Sequence, residues 1–184
     1  VGVVALGERF DDRPEDLETC LREFVSEAPN LKRIFKHAIW DQPMRTLGGY
    51  SANVKTLHGP GFALLGNAAE FLDPVFSSGV TIAMRSSSMA AALLDRQLCG
   101  ETVDWEAEFA EPLKVGVETF RTYVEGWYDT SFQDVIYYEN PQPEVKRMLC
   151  SILAGYAWDE TNPYVVDSRR RLAVLAELCR MQSS

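Results

Sequence analysis

The residues with the types and spacing to do chemistry lie in one run, Gly61-Phe62-Ala63-Leu64-Leu65-Gly66-Asn67-Ala68-Ala69-Glu70-Phe71-Leu72-Asp73-Pro74-Val75-Phe76-Ser77-Ser78-Gly79-Val80-Thr81-Ile82-Ala83-Met84. Phe62–Leu65 reads as a short apolar strand of the kind buried on both faces of a parallel sheet. It ends at Gly66, where glycine permits a tight turn and a ligand's close approach to the backbone. Asn67 follows, at the strand end where open α/β sheets place their ligands. Asp73-Pro74 fixes a rigid extended corner. Ser77-Ser78-Gly79 then opens a helix whose first N–H groups have no partner, and such an end stabilises anionic or electron-rich ligand atoms. Ser77 and Ser78 have no histidine beside them to serve as a base, so serine nucleophile chemistry is not expected.

The elements that must position this run are legible from periodicity. Val1–Leu6 is apolar and β-branched and reads as a strand. A strand at the first residue implies that the numbered chain is the later part of something longer. Asp12 and Pro14 open a helix as cap and first-turn proline, with Leu17, Cys20, Leu21, Phe24 and Val25 on its buried face. Pro29 starts a second short helix with Leu31, Ile34 and Phe35 inward. Met44–Leu57 reads as extended and hairpin-like, and Gly59-Pro60-Gly61 as a turn. Ser78–Leu98 is a helix rich in small residues, Ala83, Ser86, Ser87, Ala90 and Ala91 among them. Leu113, Val117, Phe120, Val124, Trp127 and Tyr128 line a long helix that Pro141 and Pro143 end. Val145, Met148, Leu149, Ile152 and Tyr156 line the next, and Asn162-Pro163 opens a last helix with Leu172, Leu175, Leu178 and Cys179. The fold class is α+β at the front and mostly helical at the back.

Composition sets the outer bounds. The 184 residues carry a net charge of −9 and are 46% hydrophobic and 11% aromatic, which is enough for a packed core. That sign disfavours nucleic acid, which is held through counterion release by basic residues. An anionic membrane surface is disfavoured on the same ground. No window approaches a membrane span and no charged-then-apolar leader opens the chain, so a cytoplasmic location is expected. Cys20, Cys99, Cys150 and Cys179 form no CxxC pair and are expected as reduced thiols buried as small hydrophobes. His37 and His58 lack ligand-spaced partners, so no metal site is expected. Glu101, Asp104, Glu106, Glu108 and Glu111 read as solvated caps and faces, and Arg169-Arg170-Arg171 as locally paired. Trp127, Tyr128, Tyr137 and Tyr138 read as helical core, with an aromatic substrate channel as the alternative.

The Gly61–Met84 run closely resembles the second FAD-binding motif of the p-hydroxybenzoate hydroxylase-like flavoproteins. Its Phe71–Val80 part is most similar to the flavin-dependent halogenase branch. Fainter similarity extends over Tyr123–Tyr138 and Gly155-Tyr156-Ala157-Trp158, which resemble the C-terminal helical region of halogenase-like oxidoreductases. The resemblance implies a division into substrate-domain strands and helices (1–60), the second FAD-binding motif with its helix (61–100) and a C-terminal helical region (101–184). It also implies FAD contacts at Gly66, Asn67, Asp73, Pro74, Ser78, Gly79 and Val80, and, for a halogenase, halide at Ser78 and Gly79. Asn67 stands where the family carries an Asp that bonds the ribityl or diphosphate group, so it can make that contact only without charge. No Gly-x-Gly-x-x-Gly follows a strand, so the ADP-binding half of a Rossmann-type site is missing. The family's Trp-x-Trp-x-Ile-Pro motif and catalytic Lys belong to its preceding part, and neither is found here. No catalytic residue is assigned, and Lys55 and Lys114 do not fill that role.

The resulting expectation is the C-terminal portion of an FAD-dependent oxidoreductase, halogenase or hydroxylase, acting on a small organic substrate. The 184 residues alone are expected to be inactive, to bind FAD weakly or not at all without their N-terminal FAD domain, and to self-associate. The rival from another class is a non-catalytic helical interaction module that keeps a degenerate flavin motif.

Overall fold

Leu17, Cys20, Leu21, Phe24 and Val25 do share a helix face. In the computed structural model, which describes residues 1–183, they lie on α1 (Leu17–Glu27), with Cys20 and Val25 buried and Leu21 and Phe24 half-buried, while Leu17, expected inward, is exposed at the helix start. Its cap is Asp16 rather than Asp12. The Asp16 carboxylate accepts from the Thr19 N–H (2.8 Å) and hydroxyl (2.6 Å), and these bonds hold it below its ordinary pKa. Two donors from one residue at the third helical position outweigh the Asp12–Pro14 start. α2 (Pro29–Ile34) begins at Pro29 as expected, but Ile34 points to solvent at 61% exposure, while Leu31 and Phe35 are half-buried. Val1–Leu6 is not a strand, because no described strand pairs with it, and it runs into a 3-10 turn at Gly7–Phe10. These elements belong to the first of two compact units, Val1–Tyr50.

The second unit starts at Ser51. Its strands are four pairs of residues. β1 (Ala52–Asn53) pairs antiparallel with β4 (Glu70–Phe71), and β2 (His58–Gly59) with β3 (Phe62–Ala63). The hairpin therefore lies at Gly59-Pro60-Gly61, with Gly61 at φ +82°, the value a turn with proline at its first corner demands of its second. The expected hairpin within 44–57 is absent, since β1 reaches across to β4. Phe62–Leu65 is not a doubly buried parallel strand either. Phe62 is 48% exposed, and the Leu64 N–H donates to Leu57 O at 2.8 Å, closing an antiparallel ladder.

Helices make up the rest. α3 (Gly79–Leu98) is followed by a π-helical turn at Glu106–Ala110 that runs into α4 (Glu111–Tyr128). Asp104 caps that turn, accepting from the N–H of Glu106 (3.0 Å) and Ala107 (3.1 Å). Leu113, Val117, Phe120 and Val124 are buried on α4, as their spacing predicts. The helix stops at Tyr128, well before the prolines, because Thr130 turns left-handed (φ +72°) ahead of α5 (Ser131–Ile136). Pro143 starts α6 (Pro143–Leu153) instead of ending a helix, and Tyr156 lies beyond it, 65% exposed. Asn162 caps α7 (Pro163–Val166), and Asp167, whose backbone leaves the helical region (φ −134°, ψ 53°), separates it from α8 (Ser168–Ser183), so the single last helix is two.

α4 supplies Leu113, Val117, Phe120, Tyr123 and Val124 to a core that the surrounding helices complete. Phe109, Leu113, Phe120, Tyr123, Phe132, Ile82 and Ile152 are all at most 1% exposed. Gly116 leaves the space that the Trp158 indole fills, since a Cβ there would sit 2.1 Å from the ring, and the indole N–H donates to Leu113 O at 3.2 Å. No disulfide joins the four cysteines, and Cys20 and Cys179 are buried. Cys99 and Cys150 are exposed, which corrects the expectation for that pair.

Candidate functional site

The loop from Gly66 to Gly79 folds back on the start of α3. Gly66 takes φ +52°, and a Cβ on it would meet the Ala83 Cβ at 3.0 Å. Its N–H donates to the Ser86 hydroxyl at 3.0 Å. The close approach that requires glycine here is thus the loop's approach to its own helix. Asn67 is exposed, and its Oδ1 would stand 3.3 Å from a Cβ at Gly79, so the two positions face each other. Gly79 does not need a left-handed backbone; it provides room.

Asp73 and Pro74 form the corner expected of them. Asp73 caps a short 3-10 turn, Pro74–Phe76, accepting from the Val75 N–H at 2.8 Å, and its other oxygen accepts from the Tyr128 hydroxyl at 3.0 Å. Phe76 enters an aromatic cluster, edge-on to Trp127 (5.7 Å) and to Phe132 (5.5 Å). Trp127 is therefore packed into the helical core, while Tyr137 stays 69% exposed. Ser77 then takes the left-handed conformation (φ +53°), uncommon for a residue with a Cβ and a place where backbone strain is held by its surroundings. Ser78 is buried at 3% exposure and makes no side-chain cap bond. The first ladder bond runs from the Ile82 N–H to Ser78 O (3.0 Å), so the N–H groups of Gly79, Val80 and Thr81 have no acceptor within α3. Val80 is 70% exposed. A donor set of this kind, beside a fixed corner and with no side chain at Gly79, suits an electron-rich edge of a flat ligand.

Other contacts brace this region. Glu70, buried at 8% exposure, pairs with Arg121 of α4. Burial opposes the Arg121 charge, and the Glu70 and Glu118 carboxylates outweigh it and raise its pKa. Gly155 (φ +107°) lets the segment after α6 reach Thr81, whose Cγ2 would lie 3.3 Å from a Cβ there. Arg85 lies over Trp158 at 5.7 Å. The acidic cluster is engaged by Arg96, which bonds Glu101 (2.9 Å) and Glu108, and by His58 (3.0 Å) and Lys114 (3.2 Å) on Glu106. Arg169 pairs with Glu125 (2.8 Å) and Arg170 with Asp167 (3.7 Å). Two shallow grooves run along α8, and neither is lined by the corner residues. No described helix is long and apolar enough to cross a membrane.

Sequence reasoning singled out Gly66, Asn67, Asp73, Pro74, Ser78, Gly79 and Val80, and the fold gathers them around the loop and the first turn of α3. It did not find the left-handed Ser77, the Ser86 tether or the Tyr128 contact to Asp73. Tyr128 was noted as an aromatic, yet nothing in the local pattern ties it to a residue so far upstream.

No protein-family model matches the chain. Residue identity to tryptophan 2-halogenase of Chondromyces crocatus is 36% over 104 residues, which is 55% of this chain and 20% of that protein. A 1H-pyrrole-2-carbonyl-(peptidyl-carrier protein) chlorinase of Pseudomonas fluorescens is 22% identical over 179 residues, covering 96% of this chain and 39% of the chlorinase. The crystal structure of a flavoprotein/dehydrogenase from Cytophaga hutchinsonii matches 98% of this chain with a TM-score of 0.92 and 40% identity, over 44% of its own length. The chain thus spans less than half the length of each of these proteins. Flavin-dependent halogenases of Armillaria mellea align as well, at 29% identity over 107 and 134 residues. These similarities, over part of the relatives' length, support a flavin-dependent halogenase/monooxygenase family for the chain.

Proposed function

We propose that residues 61–80 form the part of an FAD site that receives the electron-rich edge of the flavin, in an oxidoreductase of the halogenase type. The observation that carries this reading is the start of α3, where the unsatisfied N–H groups of Gly79, Val80 and Thr81 adjoin the Asp73-Pro74 corner. These donors fit a group that gains negative charge on reduction. Gly66 and Asn67 border the same space, and Asn67 offers one uncharged hydrogen bond. Ser78 and Gly79 are the positions at which a halide would be held. When bound, FAD supplies redox chemistry toward dioxygen, and the protein's part is to bind, orient and exclude water. The relatives are named for tryptophan and for a pyrrole on a carrier protein, so the proposed substrate class is a small nitrogen heteroaromatic. The diphosphate and adenine contacts fall to a glycine-rich segment outside these 184 residues. A preparation of residues 1–184 alone is accordingly expected to be colourless.

The test is titration of FAD into the native polypeptide that contains these residues, followed by flavin fluorescence. Gly79→Val drives a branched side chain into Asn67 and over the donors, and is expected to abolish binding. Pro74→Ala loosens the corner and costs less. Unchanged affinity in Gly79→Val, with its circular dichroism intact, would remove this site. A chloride- or bromide-dependent change in the bound flavin's spectrum then separates a halogenase from a hydroxylase.

A further inference from the structure

Asp73 is partly buried and has two oxygens to satisfy. One closes the Pro74–Phe76 turn by accepting from the Val75 N–H (2.8 Å), which leaves the other in need of a donor. The last residue of α4 supplies it, the Tyr128 hydroxyl at 3.0 Å. The preceding residue, Trp127, packs edge-on against Phe76 at the far end of the same turn. The final turn of α4 therefore grips the Asp73–Phe76 turn at both ends, by a charge-assisted hydrogen bond and by a ring contact. The turn runs directly into left-handed Ser77 and the free donors of Gly79 and Val80. Any rotation of Asp73 is carried through that short, strained connection to the donors' direction.

We propose that Tyr128 is a positioning residue for the flavin-facing corner, acting through Asp73. This rests on the flavin reading of residues 61–80. It also couples the aromatic end of α4 to the donors at the start of α3, so that a ligand or substitution at the helical side reaches the flavin edge through one hydroxyl.

The experiment is a double-mutant cycle in the native polypeptide, with Tyr128→Phe, Asp73→Asn and the two combined. Phe keeps the ring and removes only the donor, and Asn keeps an oxygen for Val75 while removing the charge that Tyr128 meets. Amide hydrogen exchange at Val75, Gly79 and Val80 is read without cofactor, and the FAD dissociation constant and flavin midpoint potential with it. Tyr128→Phe is expected to speed exchange at Val75 by about tenfold, the size of one hydrogen bond to a charged acceptor. It is also expected to raise the FAD dissociation constant by about three- to tenfold on the same basis and to shift the midpoint potential. The double variant should be no worse than Asp73→Asn alone. Unchanged exchange at Val75, or single effects that multiply to within about twofold in the double variant, overturns the proposal and leaves the flavin reading standing. A native polypeptide that binds no FAD overturns both.

Discussion

The fixed geometry of the corner depends on single polar atoms with little redundancy. Ser86 is completely buried on α3, where its hydroxyl donates to Ala83 O (3.1 Å) and accepts from the Gly66 N–H (3.0 Å). Ser86→Ala keeps the helix and the volume but strands a buried N–H in a glycine that cannot turn away, because Ala83 blocks its other side. The expected loss is about 1–3 kcal/mol, the cost of an unsatisfied buried donor. Urea denaturation of wild type and variant measures it, and an unshifted midpoint would show that the Gly66 N–H does not depend on Ser86.

Between elements, the β2–β3 hairpin is tied to the π-helical turn by His58 and Glu106, with Lys114 on the second carboxylate oxygen. The hydrogen bond from His58 first, then Lys114, lowers the Glu106 pKa from 4.5, and the Arg96 hydrogen bond does the same for Glu108. A carboxylate whose folded pKa is depressed stabilises the fold fully above its unfolded pKa and loses that contribution as pH falls through the folded one. Thermal stability is therefore expected to decline below about pH 4.5 as these two groups protonate. Glu106→Gln combined with Glu108→Gln should make that decline shallower, and raised salt should do so in the wild type, because both carboxylates are solvent-exposed and screened. A melting curve series from pH 6 to pH 3 reads this, at roughly the range linkage predicts. An acid limb equally steep in the double variant would assign the decline to other carboxylates.

At the scale of the whole molecule, one feature sets solution behaviour. α3 exposes Val80 (70%), Met84 (71%), Leu94 (47%) and Leu98 (78%), and helical spacing places all four on one face with Ser87 and Ala91 between them. An apolar stripe of this length on a water-facing helix favours association, opposed by the net charge of −9. The 184-residue chain is expected to self-associate in sedimentation velocity, more strongly as salt screens its charge. Met84→Glu, at the centre of the N-terminal half of the stripe, should shift it toward monomer. A wild-type chain that stays monomeric at every concentration and salt would show that the stripe does not drive assembly.

Local pattern determined a good deal of this protein by itself. Small-residue periodicity after Ser78 marks α3 to Leu98, the spacing of Leu113, Val117, Phe120 and Val124 marks the buried face of α4, and Gly59-Pro60-Gly61 marks the hairpin turn. These are decided within a few residues, by helical repeat and by backbone freedom, so the chain's order suffices to show them. The glycine, Asp-Pro and serine positions of the 61–84 run likewise carried the family resemblance. Tertiary structure alone decided pairing and partners. Val1–Leu6 has strand composition but no described strand to pair with, and Phe62–Leu65 is apolar yet half-open because it pairs with Leu57, His58 and Gly59 across a hairpin. Whether Gly66 admits a ligand or a helix depended on where Ala83 came to rest. The second oxygen of Asp73 found Tyr128 only because α4 ends beside the corner. A strand, a buried donor and a carboxylate are each completed by a group from a distant part of the chain, and only the folded arrangement brings that group within reach.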